Sequence, residues 1–320
     1  MNLHALKTRA ALYHGVRQFF AERGVLEVET PILSRAGNTD PNIDSFVTTF
    51  TGHRDAGPAA RWLRTSPEFP LKRLLAAGAP DCYELGRVFR NGEAGSRHNP
   101  EFTMLEWYRL GIDHRQLAEE VIDLVQLALG LVGRHARVER VSYRDWFWQS
   151  LNIDPMTAPI AVLQAALGDI QINADGLNRD DWLDLLITHR LSIQVDGDLL
   201  QLVYDYPASQ CALARLRTDQ SIDGTTTVAE RFELMLGGVE LANGYHELKD
   251  ATEQAERFAR DHATRASRQQ PLPPVDQYLL AALPGLPDCA GVAMGMDRLL
   301  LAMLGETDIR NLLAFPFAQA

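Results

Sequence analysis

The residues with the clearest chemical potential in this sequence lie between positions 83 and 102, where Arg90 follows a Tyr-Glu-Leu-Gly-Arg-Val-Phe run. The pattern predicts an arginine-bearing strand, a short polar loop and a returning strand that brings Phe102. The rigid fork of an arginine binds a phosphate through two parallel hydrogen bonds, and an aromatic face stacks on a base. The segment therefore points to a nucleotide, with Arg90 on the α-phosphate and Phe102 on the base.

A second candidate site surrounds Gly237-Gly238, a pair that tolerates the positive φ angles of a two-residue hairpin turn. Pairing across this turn predicts Glu233 opposite Ala242 and sets Glu233 and Glu240 as diagonal neighbours on one face. Mg²⁺ prefers oxygen ligands, so these two carboxylates are predicted metal ligands. The alternative is a solvent-facing hairpin whose acidic residues have no ligand.

Glu247 lies further along the same predicted strand. Its parity puts it on the face opposite Glu240, unless a bulge at Asn243-Gly244 shifts the strand by one residue. We expect such a bulge there.

A third segment, residues 291–304, reads as a glycine-punctuated strand that enters an apolar helix. Gly295 leaves room for the close approach of a ligand to the backbone, and Arg298 in the first helical turn can reach a γ-phosphate. The alternative is a buried strand–helix junction in which Arg298 supports packing.

The predicted helices and strands that position these residues do not follow one another as regular βαβ units. Helical spacing of apolar residues predicts helices over 3–23, 116–132 and 251–268, the last with a solvated charged face, and alternation predicts a strand over 25–33. Hairpins and long excursions connect the remaining strands. This pattern predicts an α+β fold with a mainly antiparallel sheet flanked by helices.

Composition limits the function classes further. The chain has 320 residues, a formal net charge of -11 and a pI of about 5.3, which disfavours general nucleic-acid binding. Its three cysteines are far apart, which favours reduced thiols in a cytosolic setting. Because we find neither an N-terminal apolar signal region nor a run of 18 apolar residues, we expect a cytoplasmic protein without membrane association.

The three segments together resemble the class II aminoacyl-tRNA synthetases. Residues 89–102 (FRNGE…HNPEF) resemble motif 2, the helix-Gly-strand-Pro unit near the N-terminus resembles motif 1, and residues 291–304 resemble motif 3. The lysyl branch is indicated by residues 65–74, by Asp205-Tyr-Pro and by residues 240–248. The resemblance implies one catalytic domain over 1–320 with a small helical insertion at about 150–200, a homodimer formed through motif 1, ATP as co-substrate and Mg²⁺.

The resemblance also implies roles for individual positions. It assigns catalysis to Arg90 and Arg298, and metal binding to Glu233 and Glu240. The substrate-binding positions are Ser66, Glu68, Tyr108, Glu247 and Ala293. The ATP-binding positions are Arg90, Asn91, Gly92, Glu93, Asn99, Phe102, Glu240, Leu241, Gly295 and Arg298.

One position departs from the family pattern. The family usually reads Arg-x-Glu in motif 2, with the glutamate on the adenine amino group, whereas Gly92 occupies that place here and Glu93 follows one residue late. We expect adenine recognition to shift to Glu93 or to the backbone around Gly92.

Within the lysyl branch, the chain resembles free-standing synthetase paralogs that modify elongation factor P. Motif 1 begins within about the first 20 residues, so we expect no anticodon-binding domain and no stable tRNA binding. Ala293, where the synthetases usually have Gly, adds a methyl near the substrate, although one methyl is worth only ~1–3 kcal/mol of discrimination. The implied function is ATP-dependent activation of (R)-β-lysine or lysine as an adenylate, followed by transfer to a lysine ε-amine of elongation factor P.

Two other functions stay open at this point. A truncated lysyl-tRNA synthetase would still charge tRNA, and a catalytically silent regulatory paralog would keep the fold alone. Retention of Arg90, Glu233, Glu240 and Arg298 argues against the silent paralog.

Overall fold

The computed structural model describes residues 2–193, 195–221 and 224–320, and every predicted site residue lies within these ranges. The chain divides into two compact units. The first unit comprises Met1–Ile112, Leu127–Arg134 and Lys249–Ala320, and the second comprises Asp113–Gln126 and His135–Leu248.

The α-helices of the described residues are, in chain order, α1 (Leu3–Glu22), α2 (Glu68–Ala76), α3 (His114–Gly130), α4 (Tyr143–Leu151), α5 (Ile160–Leu167), α6 (Arg179–Leu186), α7 (Ala251–Ser267), α8 (Gln277–Ala282) and α9 (Met296–Leu304). The strands are β1 (Leu26–Glu27), β2 (Leu33–Ser34), β3 (Val47–Thr49), β4 (Ala60–Leu63), β5 (Cys82–Phe89), β6 (Glu101–Leu110), β7 (Arg137–Ser142), β8 (Leu199–Pro207), β9 (Leu216–Ser221), β10 (Gly224–Leu236), β11 (Val239–His246) and β12 (Cys289–Gly295).

In the first unit, β6 lies between β5 and β12 and is antiparallel to both, while the short β1 runs parallel to β5. A separate three-stranded sheet has the order β2-β4-β3. The helix α1 packs through Phe20, whose ring stacks on Tyr83 at a centroid distance of 4.3 Å and meets the buried Trp107 edge-on. This aromatic cluster fixes the strands that carry motif 2.

In the second unit, β10 lies between β11 and β8, antiparallel to both, and β7 pairs parallel with β8. The strand β9 also pairs with β10. Helices α4, α5 and α6 supply much of the core of this unit, through Tyr143, Phe147, Leu163, Leu183 and Leu186. The predicted mainly antiparallel α+β fold is confirmed, since β1–β5 and β7–β8 pair in parallel whereas the other strand pairs described above are antiparallel.

One local prediction is wrong and a second holds only in part. The strand predicted over 25–33 is only the short β1 and β2, because the backbone between them, including Pro31, joins no ladder. The charged face of α7 is not wholly solvated. Arg265 is 2% exposed and donates to the carbonyl groups of Thr39, Asp40 and Ile43.

The interval predicted as a helical insertion contains α5, α6 and a π-helical turn at Ile187–Leu191. Among the described residues, no helix combines the length and apolar character needed to cross a bilayer.

Candidate active site

Arg90 directly follows β5 and lies against the returning strand β6. Antiparallel pairing of the two strands brings the Arg90 guanidinium carbon to 5.2 Å from the centre of the Phe102 ring, which is within range of a cation–π contact. The Arg90 N–H also donates to the carbonyl oxygen of Pro100 at 2.9 Å. The predicted phosphate-binding arginine and the predicted base-stacking ring are therefore neighbours.

The polar atoms of Arg90 are only partly satisfied by the protein. Nη1 lies 3.6 Å from a carboxylate oxygen of Glu93, while Nε is buried and has no hydrogen-bond partner in the described part of the chain. A buried donor without a partner costs about 1–3 kcal/mol. A phosphate oxygen would satisfy this donor, so the residues present fit a nucleotide phosphate.

Gly92 lies in the left-handed region, with φ of +84°, and a Cβ added there would meet nothing within 4 Å. The adjacent Asn91 N–H donates to the carbonyl oxygen of Asp44 at 2.7 Å. Because side chains rarely adopt this backbone conformation, the turn favours glycine on conformational grounds. Adenine recognition by Glu93 or by this backbone stays a prediction.

Arg298 lies in the first turn of α9, whose N-cap is Gly295. Its Nη2 is 2.6 Å from Nε2 of His98, so the loop between β5 and β6 reaches the arginine predicted to hold the γ-phosphate. Asn99 in the same loop donates to the Glu101 carbonyl at 2.6 Å and accepts from the Phe317 N–H at 3.2 Å. Its ATP contact stays a prediction.

Asp297, in the first turn of α9, connects this helix to α1 and β6. This buried carboxylate lies 2.7 Å from Nη2 of Arg9 on α1 and accepts the Thr103 N–H of β6 at 2.7 Å. The helix that carries Arg298 is thereby tied to both neighbouring elements.

A cluster of polar side chains converges on Glu106, which is 2% exposed. Glu106 accepts from the Ser66 hydroxyl at 2.6 Å and from the Tyr108 hydroxyl at 2.9 Å. Ser66 also accepts the Glu68 N–H at 2.9 Å. Glu106 was not among the predicted site residues, although its position two residues before Tyr108 places both on one strand face.

Glu68, the carboxylate predicted to meet the substrate amino group, already binds an ammonium of the protein. Nζ of Lys72, one helical turn later on α2, lies 2.5 Å from its Oε1, and Lys72 is 2% exposed. Buried charges are stable only when paired. Lys72 was also missed, although the i,i+4 spacing is visible in the sequence.

Ala293 lies opposite Glu106 where β12 pairs with β6, and Gly295 lies opposite Met104. Opposed residues in an antiparallel pair share a face. The Ala293 methyl is therefore on the same face as Glu106, next to the polar cluster.

In the second unit, the predicted hairpin turn is confirmed. Gly237 and Gly238 have φ of 57° and 76°, and Leu236 lies opposite Val239. The turn needs glycine at its second position for a further reason, because a Cβ on Gly238 would lie 2.5 Å from the Ser192 carbonyl oxygen.

The predicted pairing beyond the turn is wrong. Glu233 lies opposite Asn243 instead of Ala242, because the pairing shifts by one residue and leaves Leu241 without a partner. The bulge that we expected at Asn243-Gly244 thus occurs earlier in β11.

The bulge decides which face the acidic residues share. Side chains alternate along a strand, and opposed residues share a face. With one extra residue at Leu241, Glu233, Glu240 and Glu247 all lie on one face of the hairpin. An uninterrupted strand would have placed Glu240 and Glu247 on opposite faces.

Glu233 is held by Arg231, whose Nη2 donates to it, and Arg231 in turn lies 4.5 Å from the Tyr206 ring centre. Burial raises the pKa of Glu233; Arg231 opposes this shift, and the negative charge of Glu240 adds to it. A divalent cation would relieve the repulsion between the two carboxylates. The donor set therefore fits Mg²⁺.

Glu247 and Leu241 are both buried, at 1% and 2% exposure. Glu247 also forms an antiparallel bridge with Ala214. The substrate contact of Glu247 and the ATP contact of Leu241 stay predictions.

Comparison with protein-family models matches residues 2–319 to the family described as tRNA synthetases class II (D, K and N). The chain belongs to this family. Membership of the class II synthetases explains why three separate motifs occur in this order along the sequence.

This class II synthetase chain is also similar to curated relatives over almost its whole length. A Vibrio cholerae protein named elongation factor P–(R)-β-lysine ligase is 45% identical over 323 residues, which is 100% of this chain and 97% of that protein. A Yersinia enterocolitica protein of the same name is 46% identical over 319 residues, covering 98% and 95%. A third, from Vibrio vulnificus, is 44% identical over 320 residues, covering 99% and 96%. The predicted family and its ligase type of activity are confirmed.

Proposed function

We propose that this chain activates (R)-β-lysine with ATP and transfers it to a lysine ε-amine of elongation factor P. The observation that carries the proposal is the similarity, at 44–46% identity, to three ligases of that name, with nearly complete coverage of both chains in each case.

The nucleotide is assigned to the first unit. Arg90 holds the α-phosphate through its guanidinium group, Phe102 stacks on the base and Arg298 holds the γ-phosphate. The buried Nε of Arg90 supports this assignment, because a phosphate supplies the acceptor that the protein does not.

Magnesium is assigned to Glu233 and Glu240, whose carboxylates share a face of the hairpin. The ion would supply positive charge to the polyphosphate. The two carboxylates would hold the ion, and Arg231 holds Glu233 in place.

The lysine-like substrate is assigned to carboxylates and hydroxyls. Glu68 meets its amino group, while Tyr108 and Glu247 hold the distal ammonium. The buried Glu106 supports Ser66 and Tyr108 from the same strand. A buried ammonium requires such partners, because its desolvation is otherwise prohibitive.

The reaction has two steps. A substrate carboxylate oxygen attacks the α-phosphorus in line, the bond to the β-phosphate oxygen breaks, and pyrophosphate leaves. The ε-amine of the acceptor lysine then attacks the adenylate carbonyl, loses a proton and displaces AMP. Positioning and charge stabilisation account for catalysis, so no covalent enzyme intermediate is needed.

Mass spectrometry of purified elongation factor P tests this function. After incubation with the enzyme, ATP, Mg²⁺ and (R)-β-lysine, the expected result is addition of one lysyl group to one lysine. Purified tRNA(Lys) is the second acceptor in a parallel reaction. Acylation of tRNA with unmodified elongation factor P, or the absence of adenylate formation, would overturn the proposal.

We further propose a cytoplasmic homodimer, with both units as parts of one catalytic domain and residues 150–200 as its insertion. Stable tRNA binding is not expected, given the net charge of -11.

A further inference from the structure

On the reverse face of the hairpin from Glu247, a buried histidine meets a buried carboxylate. Nδ1 of His246 lies 2.8 Å from Oε2 of Glu230, and their side chains are 5% and 7% exposed. His246 immediately precedes Glu247, so the two side chains point to opposite faces of the strand.

Glu230 is itself fixed by two arginines. Nε of Arg215 lies 2.9 Å and Nη1 of Arg217 lies 3.1 Å from its oxygens. Burial by itself would raise the pKa of Glu230, but the hydrogen bonds from His246, Arg217 and Arg215 prevail and hold it well below its usual range. Glu230 is therefore a stable negative partner for His246.

Asp205 extends the same network. Its φ of 59° lies in the left-handed region, which costs energy for a residue other than glycine. Its carboxylate binds Nε2 of His114 at 3.0 Å, Arg115, and Nη2 of Arg217 at 2.9 Å. Elements α3, β8, β9 and β10 are thus joined behind the end of β11.

Backbone hydrogen bonds carry this rigidity to Glu247. The Arg215 N–H donates to the His246 carbonyl at 2.8 Å, and Ala214 forms a bridge with Glu247. The Leu248 N–H donates to the Leu213 carbonyl at 3.2 Å. The segment that supplies Arg215 therefore also holds the backbone on both sides of Glu247.

A metal site is the alternative for these side chains. His114, Glu230 and His246 place ligand atoms within 4.8 Å of one another. However, Arg215 and Arg217 already neutralise Glu230 and would repel a cation. The charges fit an internally balanced network better than a metal centre.

We propose that His246 is a positioning residue for Glu247, which it holds through Glu230 in the geometry that binds the distal ammonium of the substrate. The inference rests on the proposed function, which assigns that ammonium to Glu247.

The test is ATP–pyrophosphate exchange by the full chain, with (R)-β-lysine and ATP varied separately. His246→Leu removes the bond to Glu230, and Glu230→Gln removes the charge at nearly constant volume. His246→Asn keeps a donor at the δ position. His135→Asn, at an exposed histidine of the same unit, is the matched control.

We expect His246→Leu and Glu230→Gln to raise the KM for (R)-β-lysine about tenfold, with the KM for ATP unchanged. His246→Asn should restore most of the affinity, and His135→Asn should match the wild type. A folded His246→Leu or Glu230→Gln variant with the wild-type KM for (R)-β-lysine would overturn the inference, as would an equal rise in both KM values. If His246→Leu does not fold, Glu230→Gln decides.

The wild-type reaction separates the two proposals. If the wild type shows no exchange with (R)-β-lysine, the proposed function fails before any variant is compared. If it exchanges normally and the variants match it, only the role of His246 fails.

Discussion

Arg90, the residue that we assign to the α-phosphate, directly follows β5. Its guanidinium group faces Phe102, and its Nε has no protein partner within the described ranges. Replacing Arg90 with Ala should lower ATP–pyrophosphate exchange about 10²–10³-fold, because the charge developing at phosphorus loses a preorganised donor. Steady-state exchange at saturating ATP measures this effect.

Arg87→Ala is the matched control for Arg90, since Arg87 is an exposed arginine of β5, three residues before Arg90. It should retain wild-type exchange. Near wild-type exchange by Arg90→Ala would contradict the assigned role.

Glu247→Gln should mainly raise the KM for the lysine-like substrate, because an amide keeps the volume and loses the charge that pairs with an ammonium. We expect this KM to rise about tenfold or more, because the substitution removes a buried hydrogen bond between charged groups. Glu256→Gln, an exposed glutamate on α7, provides the comparison. An unchanged KM would argue against the contact.

Residue types alone predicted the neighbours Arg90 and Phe102, because an arginine strand and its returning partner are local in sequence. Glu106 and Lys72 were not predicted. Their roles depend on burial against Ser66 and Glu68, and burial of a charged side chain is set by packing that a single sequence does not display.

Among the secondary-structure elements, the β10–β11 hairpin depends on glycine at a specific position of its turn. Gly238 has φ of 76°, and its added Cβ would lie 2.5 Å from the Ser192 carbonyl oxygen. Gly238→Ala should therefore destabilise the protein by about 1–3 kcal/mol, through backbone strain and this clash. A lower midpoint of thermal unfolding measures the effect.

Gly130→Ala is the control for that substitution. Gly130 ends α3 and has open space around its Cα, so alanine should leave stability unchanged or raise it slightly. Equal effects at both positions would contradict the special role of the turn.

The turn of this hairpin could be predicted from the sequence, whereas the position of its bulge could not. A Gly-Gly pair specifies a two-residue turn by local conformation. The place where the pairing slips, at Leu241, depends on β10 being held on its other side by β8. The sequence therefore indicated that a bulge was needed and misplaced it.

For the molecule as a whole, the buried ionic network predicts how stability depends on pH. Hydrogen bonds hold the pKa values of Glu230 and Asp205 below their usual values, against the effect of burial. A carboxylate with a depressed folded pKa stabilises the protein above its unfolded pKa of about 4 and loses that contribution as the pH falls. We expect melting temperatures to decrease below about pH 5, and Glu230→Gln to make this decrease less steep. Calorimetry across the acid range would show no difference if the network were unimportant.

Assembly of the whole molecule gives a further prediction. Exposed apolar side chains of the first unit include Leu26, Ile32, Leu33, Val47 and Phe50, near the segment that resembles motif 1. Sedimentation should give about twice the chain mass of 35.7 kDa. Leu33→Asp should shift the species to the monomer, and a wild-type monomer would contradict the homodimer.

Because Leu241 has no partner on β10, the face on which later residues of β11 lie depends on the number of residues in the strand. A deletion changes that number, whereas a substitution does not. Deleting Leu241 would reverse the faces of all later residues of β11. The imidazole of His246 would then lie on the face that Glu247 now occupies, and the carboxylate of Glu247 on the opposite face. Two acidic residues of one strand that bind the same ligand but are an odd number of residues apart therefore indicate a β-bulge between them. This spacing can be looked for in the sequences of related proteins.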